Sequence, residues 1–202
     1  QTLFGIDFNI HRGELFGIIG HNGSGKSTVM KNILGLLKPT EGEVLVNGKN
    51  TKDIDISNLI VDIGYVFQNP DNQLFCNSVR EEIEFGLRNK NLPEDEIKRE
   101  TEKALDIVGL QDKQCEHPFS LSRGQRQRLA VATMLVANPN IIMLDEPTTG
   151  LDEKNLAGLL ALMQEIIDNF GGTIIMVTHD MEVVSKYATR LVVVNHGQVV
   201  LE

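Results

Sequence analysis

The sequence predicts an α/β protein built around a mostly parallel sheet, and three observations carry that prediction. Short apolar runs rich in β-branched residues recur along the chain and are continuous rather than alternating, the pattern of strands covered on both faces. Stretches with helical spacing lie between them. A glycine-rich segment, Gly20-His21-Asn22-Gly23-Ser24-Gly25-Lys26-Ser27, follows the first run and opens the first helix.

Strands are predicted over 15–19, 44–46, 63–67, 141–144, 173–177 and 191–194, and helices over 26–37, 79–87, 94–108, 123–137, 153–170 and 181–186. Boundary residues support several of these. Ser78 with Glu81 reads as a capping box at the start of the second helix. Pro93 precedes the third helix and Gly109 follows it. Ser122 reads as the N-cap of the fourth, whose apolar positions Leu129, Ala130, Ala132, Thr133, Leu135 and Val136 end before Pro139. The charge runs Arg80-Glu81-Glu82, Glu94-Asp95-Glu96 and Lys98-Arg99-Glu100 are solvated helix faces.

A chain of 202 residues is long enough for one sizeable core. With 19 Lys+Arg against 28 Asp+Glu the net charge is −9, which supplies no field to hold a polyphosphate backbone and excludes nucleic acid as the expected partner. The two cysteines, Cys76 and Cys115, make no C-x-x-C motif and are too few for a disulfide framework, which points to a reducing compartment. Every apolar run falls short of the roughly 20 residues of a membrane span. The first residues carry no signal-peptide pattern, and Gln1, which is not methionine, reads as a domain edge.

The segment from Gly20 to Ser27 matches G-x-x-x-x-G-K-[ST] in the required strand–loop–helix context. Its glycines let the amides of the loop, through His21, Asn22, Gly23, Ser24 and Gly25, turn inward on phosphate oxygens at a helix N-terminus. Lys26 reaches the β- and γ-phosphates, the Ser27 hydroxyl is placed for Mg²⁺, and Thr28 is in reach of the α-phosphate. Downstream, Ile141-Ile142-Met143-Leu144 ends in Asp145-Glu146. Adjacent carboxylates are tolerated only at a strand end, which in open α/β sheets faces the ligand. Asp145 is the expected second half of the metal site, and Glu146 is suited to orient or deprotonate an attacking water.

The order of this loop, Leu121-Ser122-Arg123-Gly124-Gln125, Asp145-Glu146, Leu151-Asp152 and His179 resembles the ATP-binding cassette (ABC) family of ATPases across nearly the whole chain. The resemblance implies a P-loop NTPase, RecA-like core with a small β-rich N-terminal subdomain and a helical subdomain over roughly 77–137, all within one nucleotide-binding domain. It implies that Gln68 contacts Mg²⁺ and the γ-phosphate. It implies that Ser122, Gly124 and Gln125 cap the γ-phosphate of ATP on an opposite subunit, that Asp152 approaches the other site across a head-to-tail dimer, and that His179 contacts the γ-phosphate. ATP and Mg²⁺ are the implied cofactors, and a second ABC subunit or domain is the implied partner. Arg123 departs from the commonest glycine. The aromatic that stacks on adenine, an N-terminal strand and a C-terminal tail are expected to lie outside the 202 residues.

Within that family, Tyr65-Val66-Phe67-Gln68-Asn69-Pro70-Asp71-Asn72-Gln73-Leu74-Phe75 resembles the ATPases of energy-coupling factor and cobalt–nickel transporters. That implies import of a vitamin or metal ion, integral membrane partners docked on the segment from Gln68 to Phe75, and a peripheral place on the cytoplasmic face of the membrane. The alternatives are the ATPase of another ABC transporter type and a soluble ABC ATPase. The short spacing from Gln68 to the signature leaves no room for a coiled-coil insertion and disfavours the second.

Overall fold

The computed structural model describes residues 2–202. A six-stranded sheet runs in the order β4-β5-β6-β1-β7-β8, with β1 (Leu15–Ile19), β4 (Ile63–Val66), β5 (Ile141–Asp145), β6 (Thr173–Thr178) and β7 (Arg190–Asn195) parallel and β8 (Gln198–Leu201) antiparallel on the edge. Register pairs Ile19 with Thr178 and Val193, Asp145 with Val177, and Val66 with Leu144. One edge of the sheet therefore gathers the C-terminal ends of all five parallel strands, where ligands bind in such folds.

The strands are buried on both faces, as their continuous apolar runs require. Leu15 and Ile19 of β1 face a cluster with Leu144 of β5 and with Leu129, Leu159 and Val184, contributed by α5 (Arg123–Leu135), α6 (Glu153–Phe170) and α7 (Met181–Tyr187). Phe16 and Ile18 point the other way, onto Val29, Met30 and Ile33 of α1 (Lys26–Ile33). Gly17 sits where α7 crosses β1, and a side chain there would meet Val184 Cγ1 at 2.7 Å.

Three helices, α3 (Val79–Arg88), α4 (Glu94–Ile107) and α5, lie between β4 and β5, in the stretch the sequence reserves for a helical subdomain. Ser122 closes a full capping box with Gln125. At α3 only half of the expected box forms: Ser78 Oγ accepts the Glu81 amide, but the Glu81 carboxylate takes the amide of Asn77 instead of Ser78. The first helix stops at Ile33 rather than near 37, because Gly35 adopts φ 68 and donates to Asn32 O. Among the strands and α-helices of the described residues, three fall outside the sequence expectation: α2 (Ile56–Asp62), β3 (Lys49–Asn50) and β8. The β-rich N-terminal subdomain reduces, among the described residues, to the hairpin of β2 (Leu45–Val46) with β3.

Candidate nucleotide site

Between β1 and α1 the backbone turns around Gly20, Gly23 and Gly25. Gly25, at φ 115, is the N-cap of α1 and supplies no side-chain cap, so the first amides of the helix are left for an outside acceptor. A side chain at Gly20 would collide with Val194 O and Ser24 Oγ, which holds the loop tight against β7. The Ser24 hydroxyl is buried and has no hydrogen-bond partner among the described residues. This amide-lined, glycine-walled concavity with an orphaned hydroxyl fits a polyphosphate. His21 is exposed at the rim. Its ring nitrogens face Asn22 O at 3.0 Å and Asn195 Oδ1 at 2.7 Å, and these two acceptors raise its pKa, that of Asn22 foremost.

Lys26 lies inside this loop, 7% exposed, with Nζ donating to Gly20 O at 2.7 Å and His21 O at 3.2 Å and standing 3.8 Å from Glu146 Oε1. Glu146 follows β5 in the left-handed region at φ 47, a conformation that costs a glutamate of order 1 kcal/mol or more and marks functional sites. The turn aims its buried carboxylate back across the sheet edge. There Oε2 accepts the Thr178 hydroxyl at 3.3 Å, the His179 amide at 3.3 Å and a ring N–H from His179 Nδ1 at 2.8 Å. His179, its side chain 56% exposed, thus fixes one carboxylate oxygen and leaves the other toward Lys26.

Asp145, one residue earlier, is half-buried, and Tyr65 Oη donates to its Oδ2 at 3.0 Å. Burial, with Glu146 adjacent, raises the Asp145 pKa, and the Tyr65 bond and Lys26 oppose the rise. Ser27 is exposed in the first turn of α1, Thr28 is beside it, and Gln68 is exposed two residues past β4 on the same sheet edge. No group of three or more His, Cys, Asp and Glu side chains converges among the described residues. A hydroxyl, one carboxylate and an amide on this edge fit the hard oxygen donors Mg²⁺ takes, with phosphate oxygens and waters to supply the rest.

Ser122, Gly124 and Gln125 stand elsewhere, at the N-terminus of α5, and no hydrogen bond or ion pair joins them to Lys26, Glu146 or His179 among the described residues. Gly124 packs directly on Asn155, whose amide group would overlap any Cβ placed there. Asn155 in turn gives both its backbone N–H and its Nδ2 to Asp152 Oδ1, each at 2.8 Å, so Asp152 caps α6. The Arg123 guanidinium lies over Gly150, 3.1 Å from where a Cβ would be.

The ABC transporter family profile matches residues 3–149. The chain belongs to the ABC transporter family. A putative ABC transporter ATP-binding protein of Methanosarcina mazei is 44% identical over 100% of this cassette and 34% of its own length. The chain spans about a third of the first three relatives, 34%, 32% and 35%. The energy-coupling factor transporter ATP-binding protein EcfA2 of Clostridium perfringens is 41% identical over 100% of the cassette and 72% of its own chain. Among solved structures, cbiO1 of Clostridium perfringens, part of the ABC transporter complex cbiONQ, has a TM-score of 0.94 and 42% identity, covering 99% of this chain and 80% of that one. The cassette MJ0796, a dimer in a post-hydrolysis state bound to ADP and Pi, has a TM-score of 0.86 and 34% identity over 98% and 88% of the two chains.

Sequence reasoning missed the side chains that hold the site residues in place. Tyr65, Thr178, Asn155 and Asn195 are supporting partners brought in by strand register and helix packing. Only Thr178, beside His179, carried a positional hint.

Proposed function

We propose that this cassette hydrolyses ATP as the motor subunit of an energy-coupling-factor importer. The observation that carries the reading is the convergence of Lys26, Glu146 and His179 on the glycine loop, with Asp145 beside them. Lys26 and the amides of α1 hold the triphosphate, and Ser27, Asp145 and Gln68 hold Mg²⁺, which when bound neutralises the charge that develops on the phosphates. Glu146 takes the proton of the attacking water. His179 keeps that carboxylate oriented, and Thr178 satisfies its buried oxygen so that it does not turn away.

Ser122, Gly124, Gln125 and Asp152 make no hydrogen bond or ion pair with their own subunit's phosphate loop among the described residues and serve a second cassette, as a head-to-tail dimer requires. The membrane subunits dock beside Gln68. There Phe75, 65% exposed, and Phe85, 47% exposed, pair edge to face at 4.9 Å and offer an aromatic surface to an apolar helix. The protein then lies on the cytoplasmic face of the membrane. None of its helices is long and apolar enough to cross one among the described residues.

The test is purification of the tagged full-length protein from detergent-solubilised membranes, with mass spectrometry of what accompanies it. An integral membrane scaffold together with a second cassette and a small capture protein supports the reading. Recovery only from the soluble fraction, alone or with ribosomes, overturns the transport role and leaves the ATPase chemistry standing.

A further inference from the structure

The segment that follows Gln68 is bound to the signature helix at both ends. Arg126, in the first turns of α5 and 19% exposed in its side chain, forms an ion pair with Asp71, Nε standing 2.7 Å from Oδ1 in a charge contact that is not an aligned hydrogen bond. Its Nη1 donates to Leu121 O, the last carbonyl before Ser122. Asp71 sits in the short 3-10 turn Pro70–Asn72, whose start is capped by Asn69. Two residues on, Gln73 uses both atoms of its amide: Oε1 accepts the Phe67 N–H at 3.0 Å, beside Gln68, and Nε2 donates to Ala130 O in α5 at 3.2 Å. Leu74 then enters the main core at 4% exposure.

The geometry points to Arg126 as a positioning residue that makes the Gln68 segment and the signature turn one mechanical unit. One guanidinium holds a carboxylate of the segment and the carbonyl that leads into Ser122, so displacement of 69–73 is applied directly to 121–125. Arg suits this because one delocalised guanidinium carries charge to Asp71 along its Nε edge while Nη1 donates to Leu121 O, two contacts the single ammonium of a lysine cannot make from that position. Gln73 prevents the segment from pivoting about the ion pair, since its amide has the correct orientation only when both Phe67 and Ala130 stay in register. Resting on the function proposed above, this unit carries motion of a docked membrane helix to the residues that meet the partner's nucleotide.

The experiment needs no activity for its first readout. Hydrogen–deuterium exchange on the full-length protein is compared for the unaltered chain, Arg126→Gln, Asp71→Asn and the double variant. Each single substitution is expected to quicken exchange about fivefold or more in both 69–73 and 121–125 while 141–145 keeps its protection. Exchange that rises only around the altered residue overturns the inference, and loss of protection in 141–145 identifies a folding defect, in which case Arg126→Lys replaces Arg126→Gln and is judged by the same two segments. The second readout is ATP turnover: kcat falls about tenfold in each single variant, the double is no worse, and ATP affinity by direct titration stays within about twofold. Effects that multiply in the double contradict the coupling. An unaltered protein that shows no turnover refutes the proposed function alone, because the exchange result still decides the mechanical unit.

Discussion

Replacing Gly124 by alanine puts a methyl group into space that Asn155 already occupies. The new Cβ would stand 2.6 Å from Asn155 Cβ and closer still to its amide group. Contacts under 3.0 Å do not occur between relaxed atoms, so either α6 or the turn at Ser122 must shift. Overpacking of a closed contact costs about 1–3 kcal/mol, and for a domain of this size each kcal/mol lowers the melting temperature by roughly 2–4 °C, giving a fall of about 2–12 °C. Asn155→Gly removes the whole obstruction, Cβ included, at about 1 kcal/mol of helix propensity. It gives up the Nδ2 bond to Asp152 but keeps the backbone N–H that Asp152 caps. The double variant is therefore expected to recover most of the loss, with a coupling energy of about 1 kcal/mol or more in thermal melts followed by circular dichroism. A Gly124→Ala protein that melts within about 1 °C of the unaltered chain, or losses that simply add in the double, would refute the packing argument.

Lys26→Ala removes the cation inside the phosphate loop and leaves Glu146 without its charge partner, so ATP binding measured by titration calorimetry should weaken at least about a hundredfold; binding within tenfold of the unaltered protein contradicts the site. Asp145 has a folded pKa raised chiefly by burial, so its contribution to stability is full below the unfolded value and is lost as pH rises through the folded one. In EDTA, Asp145→Asn should accordingly melt higher than the unaltered protein at about pH 8, with the margin shrinking toward pH 4; an opposite trend refutes the burial argument. The Cys76 thiol is pushed up to about 11 by burial and then by Glu82 and Glu81. At pH 8 about one part in a thousand is thiolate, so iodoacetamide mapped by mass spectrometry should reach the exposed Cys115 well before Cys76, and Glu82→Gln should hasten Cys76. Equal labelling of the two cysteines would contradict it.

Much of this architecture is written in local sequence. The continuous apolar runs place all five parallel strands because burial on both faces leaves no alternation to read. The phosphate loop, Ser122 and the carboxylates at the end of β5 are legible because each is a short-range device whose chemistry depends on adjacent residues. The misses have the opposite character. β8 and β3 are edge strands with exposed residues, formed by pairing with β7 and β2 rather than by their own pattern. The left-handed turn at Glu146 is invisible because the sequence shows a glutamate where glycine would signal it. Tyr65 reaches Asp145, Asn155 reaches Gly124 and Arg126 reaches Asp71 through sheet register and helix packing, contacts that span up to 80 positions and have no local signature.

The central claim is that Glu146 activates water at a site completed by a second cassette, and one comparison tests it most directly. Steady-state ATP turnover and light-scattering mass are measured on the full-length protein and on Glu146→Gln with saturating ATP and Mg²⁺. The account predicts that the substitution lowers turnover by at least about a hundredfold while the variant accumulates as an ATP-bound dimer. Equal turnover in the two proteins, or a variant that stays monomeric with ATP bound, would contradict it.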